Sequence, residues 1–138
     1  ENMNAGYTVE NAEKLASETV PPAGRNEYET GLLVEISGGR KMGSAEFSST
    51  PLYAYLAENA CKYGFILRYP QEKTHITGYA FNACVFRYVG DVECSTYIKT
   101  HKLSLEEYLD YVKREKQVVA QRILALSQED QKPENNGE

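Results

Sequence analysis

Leu56-Ala57-Glu58-Asn59-Ala60-Cys61-Lys62-Tyr63-Gly64-Phe65-Ile66-Leu67-Arg68-Tyr69-Pro70 carries a helix, its stop and a strand in one unbroken stretch. The helix begins upstream. Thr50 is placed to cap it, and Pro51 stands at the first helical position, where a missing N–H costs nothing. Leu52, Leu56 and Ala60 recur at helical spacing and mark a core face, flanked by Tyr53, Ala57 and Cys61. Gly64 sits where a left-handed residue ends a helix. Phe65–Tyr69 then reads as a strand, and Pro70-Gln71-Glu72-Lys73 as a turn.

The flanking text extends the same pattern. Toward the N-terminus, Gly31–Ile36 is a short apolar run that suits a central strand, followed by a glycine-rich loop over Ser37–Gly43. Further back, Thr8 is placed to cap a short helix over Val9–Ser17, and Pro21-Pro22-Ala23-Gly24 stops regular structure. Toward the C-terminus, Phe81–Val89 is another strand stretch, with a break around Asn82–Cys84. Ser104-Leu105-Glu106-Glu107 is a capping box that opens a long helix. Leu105, Tyr108, Leu109 and Val112 give that helix a core stripe, continued by Val118, Val119, Ile123 and Leu124. The pattern predicts an α+β fold, a small and largely antiparallel sheet with packed helices. Residues 1–19 read as an N-terminal segment with a short helix, 20–127 as the domain with its long C-terminal helix, and 128–138 as a polar, disordered tail.

Composition narrows the function classes. The 138 residues carry 20 acidic and 15 basic side chains, a net charge of −5. A nucleic-acid footprint needs a clustered basic face, so no nucleic-acid partner is expected. No apolar run is long enough to span a membrane. The 3 cysteines, Cys61, Cys84 and Cys94, form no C-x-x-C pair. One disulfide with a free thiol is possible, but three thiols is the favoured reading, because free Cys packs as a small hydrophobe. Residue 1 is Glu and no charged-then-apolar leader follows it, which fits either a cytosolic chain or a trimmed, exported one. Tryptophan is absent.

Three blocks resemble the VanY-type D-alanyl-D-alanine carboxypeptidases, zinc peptidases that trim peptidoglycan stem peptides. Pro22-Ala23-Gly24-Arg25-Asn26-Glu27-Tyr28-Glu29-Thr30-Gly31-Leu32-Leu33-Val34-Glu35-Ile36 is similar to the family's Pro-Gly-x-Ser-x-His-x-x-Gly-x-x-x-Asp text. Leu56–Pro70 follows the family text closely. Ile76-Thr77-Gly78-Tyr79, Arg87-Tyr88-Val89-Gly90 and Leu103–Leu109 complete the likeness, which runs from Val20 to Leu109. The family's upstream Gly-Tyr-Arg-Ser-like block has no convincing counterpart, since Gly6-Tyr7 is followed by Thr8. The resemblance implies a carboxypeptidase fold and an extracytoplasmic place in the bacterial cell envelope, with the signal or anchor outside this chain.

The resemblance also implies zinc held by a His and an Asp of the first motif and a His of a Glu-Pro-Trp-His motif, whose Glu is the general base. Here those positions read Tyr28, Glu35 and Asn82-Ala83-Cys84-Val85. A catalytic zinc needs three protein donors and an open position. Val85 has no donor, and Tyr28 would have to lose a phenolic proton near pH 10. Asn82 is shaped like a carboxylate but takes no proton at neutral pH. The ligands and the base are therefore read as lost, with no metal or other cofactor expected and catalysis abandoned.

The remaining candidates serve recognition. Arg25, Arg68 and Arg87 are the cations available for a peptide carboxylate, with Asn26 and Cys84 beside them; a structural ion pair is the plainer reading for Arg68 and Arg87. Cys84 admits a nucleophile reading with His75 as base, against a small residue filling the space of the missing Trp. His75 and His101 read as surface residues, and Glu27 and Glu29 as solvated loop carboxylates. The partners implied are a peptidoglycan stem peptide, or a protein docking on the C-terminal helix. An active carboxypeptidase with altered, Cys-based or unusual-metal chemistry is the alternative.

Overall fold

The computed structural model describes residues 8, 9, 11, 24, 26–37 and 43–129. The chain divides into two compact units, Glu1–Leu105 and Glu106–Glu138. In the first, a 3₁₀ turn (Glu27–Thr30) leads into β1 (Leu33–Glu35), α1 (Ser44–Ser48) and α2 (Pro51–Asn59). A second 3₁₀ turn (Ala60–Tyr63) then precedes β2 (Phe65–Tyr69). After a short turn come α3 (Thr74–Thr77), β3 (Asn82–Tyr88) and α4 (Val92–Thr100). The second unit is the helix α5, Leu105–Glu129, from Glu106 onward.

The sheet is antiparallel with order β1-β3-β2. The fold is thus helices around a small antiparallel sheet, as the sequence predicts. One expectation fails: Gly31–Ile36 does not form a central strand. β1 is short and lies at the edge of this sheet, and β3 takes the centre. β3 is the strand with four consecutive buried residues, Ala83 to Phe86, as a strand covered on both faces must be. β3 runs unbroken from Asn82 to Tyr88, and the irregularity expected near Asn82–Cys84 is a shift of register against β2 beyond Leu67.

The helix-stop-strand stretch forms as its residues dictate. The Thr50 hydroxyl accepts from the Tyr53 N–H at 3.1 Å. Gly64 takes φ +79°, and a Cβ there would meet the Tyr88 ring at 2.7 Å. Both facts demand glycine. Two elements escape the sequence pattern. α1 is only five residues long. α4 is signalled by little besides its cap, Asp91, whose carboxylate accepts from the Cys94 N–H at 2.6 Å. That hydrogen bond holds the Asp91 carboxyl below its ordinary range.

A core cluster joins the first elements. Phe47 of α1 packs with Ala83 and Cys84 of β3, and Ile36, Tyr53, Leu56 and Phe81 close around them. Ser44 fixes α1 onto the strand by accepting from the Ala83 N–H at 2.8 Å. On the other side, the buried Ser95 hydroxyl of α4 donates to the Cys61 carbonyl at 2.7 Å. Cys61, Cys84 and Cys94 are all free thiols, the state the sequence favours.

Val9 and Asn11 are helical behind Thr8, but the rest of the Val9–Ser17 helix and most of the Ser37–Gly43 loop lie outside the described residues. So does the tail from residue 130, and α5 runs on to Glu129 rather than ending at 127. Along α5, Leu109, Val118, Val119, Ile123, Leu124 and Leu126 are each more than half exposed, so most of the expected core stripe is not core. No helix among the described residues is long and apolar enough to cross a membrane.

Candidate functional site

Three stretches of sequence meet at β1 and β3: the turn around Tyr28, β1 itself and the start of β3. Tyr28 stands in the first 3₁₀ turn, which Asn26 caps by accepting from the Tyr28 N–H at 3.0 Å. Gly31 closes the turn with φ +69°, its N–H donating to the Tyr28 carbonyl at 3.2 Å. From there β1 carries Glu35 to a place directly opposite Val85 of β3. Cross-strand partners share a face, so these two side chains are neighbours. Val85 is fully buried.

Electrostatics tie the same residues together. Burial pushes the Tyr28 phenol above its ordinary value, and the nearby Glu35, Cys84 and Glu27 push it further. Burial, then Glu35, also raises the Cys84 thiol. The site therefore favours the protonated phenol and the protonated thiol. Asn82 lies at the start of β3, where its carbonyl oxygen accepts from the Cys84 N–H at 3.0 Å. The side chains of Asn26 and Asn82 are thus both committed to local backbone.

The arginine candidates have a different fate. Arg68 donates from Nε to Glu27 Oε2 at 2.6 Å, and Arg87 donates from Nη1 to the other oxygen, Glu27 Oε1. All three side chains are largely buried. The reading of Glu27 as a solvated loop carboxylate is therefore wrong. Two guanidinium groups inside strand text need a buried counter-charge, and Glu27 supplies it. Glu29 does stay exposed, accepting from the Gly24 N–H at 3.1 Å. The structural ion pair for Arg68 and Arg87 is present, and Arg68 also lies over the Tyr69 ring at 4.8 Å. Arg25 lies outside the described residues.

His75 and His101 are both exposed, and His101 stacks on Tyr97. A raised thiol is the reverse of what a cysteine nucleophile needs. Sequence reasoning missed a cleft of about 540 Å³ whose lining includes Leu56, Cys61, Leu67, Phe86, Ile98 and Lys102. Phe86 follows Val85, and successive strand residues face opposite sides. The cleft and the Glu35–Val85 pair therefore lie on opposite faces of the sheet.

The donor set does not fit zinc. Tyr28, Glu35 and Val85 offer a phenol held protonated, one carboxylate and a hydrocarbon. Among the described residues, no group of three His, Cys, Asp or Glu side chains is placed to hold a metal ion.

Comparison with known proteins matches residues 1–91 to the family model VanY, D-alanyl-D-alanine carboxypeptidase. A D-alanyl-D-alanine carboxypeptidase of Enterococcus faecium is 37% identical over 106 residues, covering 77% of this chain and 33% of that protein. The putative carboxypeptidase YodJ of Bacillus subtilis (strain 168) is 40% identical over 105 residues, 74% of this chain and 38% of its own length. The chain thus spans little more than a third of these curated relatives. Among solved structures, VanYB in complex with D-alanine-D-alanine superposes with a TM-score of 0.67 at 37% identity, covering 79% of this chain and 57% of that one. The LdcB LD-carboxypeptidase gives 0.64 at 38% identity, covering 71% and 46%. The matched span, residues 1–91, contains all three strands of the sheet, and by this match the chain belongs to the VanY family of D-alanyl-D-alanine carboxypeptidases.

Proposed function

We propose that this chain is a non-hydrolysing member of its family, an interaction module of the bacterial cell envelope. The observation that carries this reading is the pairing of Glu35 with Val85 beside Tyr28. The positions that resemble the family's metal ligands come together in space, yet they supply a single carboxylate among a phenol and a hydrocarbon. Without a metal, no bound water is activated and no peptide carbonyl is polarised. Asn82 stands where the family's base would be, and its oxygen is spent on the Cys84 N–H. The Cys-based alternative loses support because burial and Glu35 both disfavour the thiolate.

A relative was solved with D-alanine-D-alanine, so a stem peptide is the natural ligand to test. Arg68 and Arg87 speak against tight capture of its carboxylate, because each already holds one oxygen of Glu27. Protein–protein association is the stronger form of the reading, supported by the exposed apolar positions of α5. The family's work on cell-wall peptides supports an extracytoplasmic setting. The deciding experiment is incubation of the purified chain with zinc and a stem pentapeptide ending in D-alanyl-D-alanine. No free D-alanine is expected by mass spectrometry. Zinc-dependent release that the Glu35→Ala variant abolishes would overturn the proposal.

A further inference from the structure

Along α5, Leu109, Val112, Lys116, Val119, Ile123 and Leu126 follow one another at alternating steps of three and four residues. This is the spacing of the a and d positions of a coiled-coil seam. Apolar residues hold every position except Lys116. Leu109, Val119, Ile123 and Leu126 are each more than half exposed. Leu109, Val112, Lys116 and Ala120 line a shallow concavity along that side of the helix.

We propose that α5 mediates an antiparallel homodimer, in which a second copy of this chain covers the seam. Charge selects both the occupant and its direction. In a parallel pair in register, Lys116 would face Lys116 inside the core, and Glu115 would meet the uncharged Ala120. In the antiparallel pair, Leu109 layers with Leu126 of the second copy, Val112 with Ile123, and Lys116 with Val119. The two lysines are then separated, and each can extend its ammonium group out to water. The same register sets Glu115 beside Arg122 of the second copy, and the two-fold axis repeats that pair. The seam is self-complementary in shape order and in charge.

The inference deepens the interaction reading above but does not depend on the loss of zinc. The D-alanine assay and the mass measurement therefore fail separately. Light scattering on the full chain at about 100 µM should give twice the 15.5 kDa chain mass. Ile123→Glu should return the monomer mass, with helix content by circular dichroism unchanged. Glu115→Arg should weaken the dimer by about tenfold through two like-charge contacts, and the double variant Glu115→Arg/Arg122→Glu should restore it. A monomer at that concentration overturns the proposal. So does a dimer that Ile123→Glu leaves intact, one whose dissociation constant by dilution Glu115→Arg leaves unchanged, or one that the double exchange fails to rescue.

Discussion

Glu35 and Val85 face each other across the β1–β3 pair, and Val85 is fully buried. A carboxylate next to an aliphatic side chain cannot close a metal site. The chain should therefore show no stoichiometric zinc binding by calorimetry at micromolar metal. The double variant Tyr28→His/Val85→His, with Glu35 retained, presents two imidazoles and a carboxylate. It should gain zinc affinity at least tenfold over Val85→His alone. Stoichiometric zinc in the unaltered chain would contradict the donor argument.

Glu27 binds Arg68 and Arg87 with its two oxygens. Glu27→Gln keeps the shape and removes the charge, leaving two largely buried guanidinium groups uncompensated. Breaking such a network costs about 3–5 kcal/mol when the charges are fully buried, and residual solvent contact lowers this to about 2–4 kcal/mol. A denaturant midpoint unchanged by Glu27→Gln would show that the clamp contributes little.

Gly64 is left-handed and abuts the Tyr88 ring. Gly64→Ala imposes about 1–2 kcal/mol from the backbone alone, and the ring must also move. Gly78 is left-handed too, at φ +73°, but has open space around it. Thermal melts should place Gly64→Ala well below Gly78→Ala. Equal melting temperatures would remove the steric contribution.

Burial pushes the Tyr69 phenol up to about 12, with the neighbouring Arg68 pulling the other way. An unfolded tyrosine loses its proton near pH 10. Between those values the unfolded state holds fewer protons, so stability is full below about pH 10 and falls as pH rises toward 12. The loss should be on the order of 1–3 kcal/mol, and Tyr69→Phe should flatten it. Chemical denaturation from pH 9 to 12 measures this. A slope that Tyr69→Phe leaves unaltered would assign the loss to other groups.

Cys94 is partly exposed, whereas Cys84 and Cys61 are buried and the Cys84 thiol is raised. Alkylation of the native chain near pH 8 should modify Cys94 first, with Cys84 reacting only on unfolding. Peptide mapping reads the order, and early modification of Cys84 would revive the nucleophile reading.

The stretch Thr50–Tyr69 is legible from residue order alone because its signals are local. A cap, a proline at the first turn, a glycine stop and an apolar strand each act on their near neighbours, and the long helix from Leu105 is legible for the same reason. The donor count at Tyr28, Glu35 and Val85 is likewise a matter of residue type. Tertiary structure alone decided the rest. It put β3 rather than β1 at the centre, since strand order follows from pairing between distant segments. It turned Glu27 from a loop carboxylate into the counter-charge of Arg68 and Arg87, because burial of a charge depends on what the chain brings to it from 41 and 60 residues away.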